Sequence, residues 1–179
     1  DIKIFIEYGM LSDEKFCEQA MKFALVSDTE GQFFKLDDYK KLIEGNQTDK
    51  DGNLVYLYAT DKEAQYSYIK AANDKGYNVL MMDGQLDIPF VSMLEQKNEK
   101  SRFVRVDSDV IDNLIRKEDD KKSELSADEQ AMASTLFKSQ IPAIEKSEFY
   151  VSFAALAATD QPVVITQSEY MRRMKEMAQ

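Results

Sequence analysis

Histidine occurs nowhere in the 179 residues. Its absence removes the commonest general base, every Ser-His or Cys-His nucleophile pair and most zinc constellations. Glycine is scarce as well: the six, at positions 9, 31, 45, 52, 76 and 84, form neither GxGxxG nor GxxxxGKS/T, so the chain carries no nucleotide fingerprint. A single cysteine, Cys17, can make no internal disulfide, which fits a reducing compartment. Apolar runs stay well short of the roughly 18 residues that span a bilayer. Asp1 leads directly into Ile2-Lys3-Ile4-Phe5-Ile6, without the basic, apolar and small-residue succession of a signal peptide. Positive charge is also short, with 23 Lys plus Arg against 33 Asp plus Glu and a net charge of -10. Such a surface repels nucleic-acid backbones and anionic lipid. The expectation is a cytoplasmic protein whose partners are neither nucleic acid nor membrane.

What is present suits a globular chain of one domain or two small ones, with 44% hydrophobic and 31% charged residues. Both ends read as interruptions of a longer chain, since the first residues already lie in an apolar pattern and Tyr170 to Met177 stops inside a helix. Phe16, Cys17, Ala20, Met21, Phe23 and Ala24 recur at helical spacing behind Ser12, which predicts a helix from about 13 to 25 with Ser12 as N-cap and Cys17 as a small buried hydrophobe. A second helix from Leu36 ends before Gly45-Asn46, so the first 45 residues read as helical.

The period then changes. Leu54 to Tyr58 is an apolar run of strand length, and Thr60-Asp61-Lys62-Glu63 has the form of a capping box opening a helix that Gly76 ends. Tyr77 to Met82 reads as a second strand. Asp87 and Pro89 open another helix, and Phe103 to Val106 forms a third strand. The unit is βαβαβ with parallel strands. From 107 to 129 the chain is highly charged and reads as a solvated domain boundary. Ser126-Ala127-Asp128-Glu129 is a further capping box, followed by strand candidates at Phe149 to Phe153 and Val163 to Ile165 and by a terminal helix. The fold class is therefore α/β: a helical segment, a small three-stranded parallel βαβαβ unit, and a small α+β second domain.

Three features are candidates for function. Asp61, Asp83 and Asp107 fall at the C-terminal ends of the strands, where a parallel sheet places its crevice. They suit either a magnesium or phospho-acceptor pocket or the caps of helices that follow strands. Asp49-Lys50-Asp51-Gly52-Asn53 has a calcium-loop flavour, but its sixth position is Leu54 and its twelfth Thr60, so it reads as a turn. The terminal helix sets Tyr170, Met174 and Met177 at i, i+4 and i+7 with Met171 beside them, and Leu86-Asp87-Ile88-Pro89-Phe90 is a second apolar helix start. Stripes of this kind usually pack in a core; left exposed, thioether side chains suit an adaptable binder of apolar surface.

Five segments carry a resemblance: Tyr56-Leu57-Tyr58-Ala59-Thr60-Asp61-Lys62-Glu63-Ala64, Gly76-Tyr77-Asn78-Val79-Leu80-Met81-Met82-Asp83, Phe103-Val104-Arg105-Val106-Asp107-Ser108, Thr159-Asp160-Gln161-Pro162 and Met171-Arg172-Arg173-Met174. With them, along essentially its whole length, the chain resembles the ninety-kilodalton heat-shock chaperones, the heat shock protein 90 family, in its bacterial form. The resemblance implies that residues 1 to 116 are the later half of the middle domain and 117 to 179 the opening of the C-terminal domain. It places the ATP-binding domain before Asp1 and the dimerising helices after Gln179. ATP and magnesium then belong to a homodimeric parent. The segment itself holds no catalytic residue, cofactor or metal, and is a monomer or weakly associating. Its implied partners are unfolded or partly folded client proteins, met by Ile88, Pro89 and Phe90 on one side and by Tyr170, Met174 and Met177 on the other. The alternative left open is a stand-alone α/β module that binds a small ligand or magnesium through Asp61, Asp83 and Asp107.

Overall fold

A computed structural model of the chain describes residues 2–117, 125–142, 148–155 and 162–177, apart from the side chains of 176 and 177. The chain divides into two compact units, Asp1–Glu118 with Ile165–Gln179, and Asp119–Val164.

The first unit opens with α1 (Lys3–Ser12) and α2 (Glu14–Ala20). Asp13, rather than Ser12, caps α2: its backbone is extended and its side chain accepts from the Phe16 N–H at 2.7 Å. Cys17 and Ala20 are buried, as their spacing requires. A hairpin then interrupts the expected helical stretch, β1 (Leu25–Ser27) paired antiparallel with β2 (Phe33–Lys35). Its turn is built by Asp28, which accepts from the N–H groups of Glu30 and Gln32, and by Gly31 at φ 84°. Helix α3 (Leu36–Ile43) follows and buries Leu36, Tyr39 and Ile43 on one stripe.

The parallel sheet is as expected. Strands β3 (Leu54–Ala59), β4 (Val79–Met81) and β5 (Ser101–Arg105) lie in the order β4-β3-β5, all parallel, with α4 (Tyr66–Asp74) and α5 (Asp87–Lys97) as the crossovers. Every residue of β3 is buried because both faces of the sheet are covered. Val55, Leu57 and Ala59 face a cluster with Ile69, Ala72 and Val104, while Leu54, Tyr56 and Tyr58 face one that includes Phe90, Val91, Leu94 and Phe103. Tyr56 and Phe103 stack there with centroids 4.5 Å apart. Gly76, at φ 75°, ends α4. The Thr60–Glu63 capping box does not form. Gln65 instead reaches back to accept from the N–H groups of Thr60 and Asp61, Asp61 accepts from those of Glu63 and Ala64, and α4 starts only at Tyr66. A short α6 (Ile111–Leu114) closes this part of the unit and buries Leu114.

In the second unit, α7 (Ala127–Gln140) begins with the expected capping box, Ser126 and Glu129 each accepting from the other's backbone N–H. The two strand candidates do not appear: the described residues at 148–155 and 162–168 form no ladder. Strand candidates need a partner edge, and an isolated two-stranded pair is marginal in water. Residues 159–161 of the turn proposed between them lie outside the described residues. The last helix, α8 (Glu169–Met177), groups with the first unit. Among the described residues no helix is long and apolar enough to cross a membrane.

Candidate functional site

In α8 the charged residues Glu169, Arg172 and Arg173 fall at i, i+3 and i+4, so they share one face of the helix, and the other face is left to Tyr170, Met171 and Met174. The charged face is the one that docks. Glu169 Oε1 accepts from the Tyr58 hydroxyl at 2.7 Å, from Arg172 Nη2 at 2.6 Å and from Arg173 Nε at 2.7 Å, and Oε2 accepts from the Arg105 backbone N–H at 3.1 Å. Arg173 extends the network: Nη1 donates to Glu95 Oε2 on α5 at 2.7 Å and Nη2 to the Phe103 carbonyl on β5 at 2.9 Å. Arg172 is only 3% exposed. It also donates to the Tyr58 hydroxyl, and its guanidinium lies 5.7 Å from the centre of that ring. The approach to the helix is tied down as well. The Tyr68 hydroxyl donates to the Ile165 carbonyl, the Gln167 N–H donates to the Asp107 carbonyl at 2.9 Å, and Arg105 Nη2 donates to Gln167 Oε1 at 3.0 Å.

These contacts keep the network charged. Burial works to raise the pKa of Glu169, but the Tyr58 hydrogen bond, the Arg172 charge, the Arg105 N–H and Arg173 outweigh it and hold the carboxyl below its ordinary value. Burial likewise works against the charge on Arg173, and its hydrogen bonds to Glu95 and Glu169 overcome it. Tyr58 is pushed up, first by burial and then by the Glu169 charge, so its hydroxyl remains a donor.

With the polar side committed, the apolar side faces solvent. Tyr170 is 69% exposed, Met171 65% and Met174 48%; the Met177 side chain lies outside the described residues. The other expected patch is different. Phe90 is 4% exposed and belongs to the core, Ile88 is half-buried and packs against that core, and Pro89 is exposed. The expectation that Phe90 offers its ring to a client is corrected here. Helix α5 buries Asp87, Phe90, Val91 and Leu94, the i, i+3, i+4, i+7 stripe that faces the sheet.

The strand-end carboxylates do not converge. Asp61 caps the turn before α4, Asp107 is held by Arg105 at 2.6 and 3.0 Å, and Asp83 is exposed. Among the described residues no group of three His, Cys, Asp or Glu side chains could hold a metal ion. Asp49 accepts from the N–H groups of Asp51 and Asn53, forming the turn its sequence suggested. A cavity of about 270 Å³ between Thr29, Asn46, Asn73 and Asn78 includes none of the candidate residues.

The methionines stand out in the sequence as candidate site residues; Tyr58, Glu95, Arg105, Glu169, Arg172 and Arg173 do not. The spacing of Glu169, Arg172 and Arg173 was a local signal for a charged stripe. Their partners on β3, β5 and α5 lie far away in sequence and left no comparable trace.

No family model matches the chain. It is similar to the chaperone protein HtpG of Bacteroides thetaiotaomicron, with 62% identity over 178 residues covering 99% of this chain. HtpG of Bacteroides fragilis is also 62% identical, and that of Porphyromonas gingivalis 56%, over the same share. The chain spans about a quarter, 26%, of the length of these relatives. Among solved structures, the middle domain of a Plasmodium falciparum heat shock protein overlaps 59% of this chain and 44% of its own at 15% identity and a TM-score of 0.44, a likeness too loose to carry an argument.

Proposed function

Because the chain belongs to the HtpG family of heat-shock chaperones, as a segment of about a quarter of their length, we propose that it is a client-contacting part of an ATP-dependent chaperone. Its working surface is the outward face of α8. The observation that carries this reading is the exposure of Tyr170, Met171 and Met174 on a helix whose Glu169, Arg172 and Arg173 are engaged beneath it. Unfolded chains present irregular apolar surface, and flexible thioethers adapt to it. Burying two or three such side chains gains less than about 10 kcal/mol gross. Most of that is offset by ordering the client, so binding is weak and reversible. Pro89 and the exposed part of Ile88 form a second, minor contact.

In this reading residues 1–116 come from the later middle domain and 117–179 from the start of the C-terminal domain of a homodimeric cytoplasmic parent. Nucleotide and magnesium chemistry sits in other parts of that parent, and the segment has no catalytic group of its own. Domain closure in the parent would change how clients reach α8.

The test is capture of a reduced, alkylated, permanently unfolded protein by the chain, followed by fluorescence anisotropy. Replacing Met171 and Met174 together by Asp should weaken capture about tenfold or more, given the apolar burial lost. Capture that persists at full strength in the double variant would falsify the reading.

A further inference from the structure

We propose that Glu169 is a positioning residue, whose bonds to Tyr58, Arg105, Arg172 and Arg173 hold α8 on the sheet by charge and keep its methionine face turned outward. This rests on the reading of that face as the client surface. An amphipathic helix beside a protein core ordinarily turns its apolar stripe inward. Helix α8 does the reverse: Arg172 is buried, while Tyr170 and Met171 are among its most exposed side chains.

The geometry explains how. Four donors of three kinds, a backbone N–H, a hydroxyl and two guanidinium groups, meet on one carboxylate. Bonds of this charge-assisted kind are shorter and stronger than neutral ones. The receiving site is also built without α8. Glu95 Oε1 accepts from the Phe103 N–H at 2.7 Å, which orients the carboxylate that Arg173 then meets. Tyr58 is fixed by its place in the central strand, with its ring in the core and its hydroxyl at the edge. A preformed socket matched to a charged stripe thus selects one rotation of the helix, and the apolar stripe is displayed because it is the remainder. Without the carboxylate, Arg172 and Arg173 lose the charge they share, and only Glu95, the Phe103 carbonyl and the Tyr58 hydroxyl are left to favour this rotation over one that buries the methionines.

The experiment is amide hydrogen exchange of residues 169–177 in the chain, read beside the capture assay. Glu169→Gln keeps the size of the side chain and removes its charge. It should lower protection in α8 by about tenfold or more while leaving β3 amides unchanged, as expected for release of one local unit. Client capture should fall several-fold. Raising salt from about 0.05 to about 1 M should loosen α8 in the unsubstituted chain and have a smaller effect in the variant, which keeps only the Arg173–Glu95 pair for screening to act on. Should E169Q fail to fold, Arg173→Lys, which retains the charge and loses the fork, should show a smaller loss of protection in the same segment. Unchanged protection in α8 in the folded variants overturns the proposal. Lost protection with undiminished capture overturns the positioning role and leaves the client face standing. The methionine variants, with Glu169 intact, test that face separately.

Discussion

Helices α5 and α8 both carry large apolar side chains at helical spacing, yet they present opposite faces to the sheet. In α5 the stripe of Phe90, Val91 and Leu94 faces the core. In α8 the stripe of Tyr170, Met171 and Met174 faces water, and Glu169, Arg172 and Arg173 face the sheet. Apolar content alone therefore does not decide which side of a helix is buried. The companions at i, i+3 and i+4 decide, together with what the surface opposite them offers. Opposite α5 lie Tyr56, Phe103 and other apolar groups; opposite α8 lie a hydroxyl, a strand-end N–H, a carbonyl and a carboxylate.

The largest effect that tests this contrast is at Phe90. Replacing it by Ala empties a site in the main cluster, and Phe→Ala changes in cores cost about 3–5 kcal/mol. Chemical denaturation of the chain should show a loss of that size. A loss below about 1 kcal/mol would return Phe90 to the surface and make the two helices alike.

The parts of the fold that were legible from sequence are those fixed locally. The all-apolar run of β3, Gly76 behind α4 and the Ser126 capping box each act within a few residues, and each is present. The β1–β2 hairpin was lost inside a helical pattern. Asp28-Thr29-Glu30-Gly31 is turn chemistry, but strands of three residues are too short to show a period. Phe90 was readable in principle, since positions 87, 90, 91 and 94 share a stripe; grouping 86 to 90 as consecutive residues hid it. The docking of α8 was not readable. Tyr58 and Glu169 are 111 positions apart and Glu95 and Arg173 are 78 apart. Nothing in either neighbourhood names the other.

A middling effect should come from the charge buried at the start of α5. Asp87 accepts from the Gly84 N–H at 2.7 Å and pairs with Lys3 at 2.8 Å, and Glu7 of α1 stands 3.6 Å from the same ammonium. Burial first, then the hydrogen bond and charge of Asp87, push Glu7 up to about 7 from its ordinary 4.5, against the opposing pull of Lys3. A raised carboxyl contributes stability that is fully present below its unfolded value and is lost as pH rises through the folded one. Stability should therefore fall by on the order of 1–3 kcal/mol between about pH 4.5 and about pH 7.5. Glu7→Gln should flatten that slope in denaturation curves recorded across the range. A slope that survives the substitution would move its source elsewhere. Unlike the α8 network, this cluster unites two carboxylates with one cation, so it weakens at the pH where Glu169 remains fully paired.

The smallest effect should be on stability at Met174, and its smallness is what gives the contrast force. The side chain is 48% exposed, and its helix is held by the residues on the other side. Met174→Asp removes little packing. It does place a poorer helix former, and a negative charge, towards a helix C-terminus, which together cost about 1 kcal/mol or less. The melting transition of the chain should thus shift far less than it does for Phe90→Ala, although the same methionine face governs client capture. A destabilisation approaching that of Phe90→Ala would mean that Met174 is closed against part of the chain. The outward face of α8 would then be a core surface like that of α5, and the distinction between a helix held by its apolar stripe and one held by its charges would collapse.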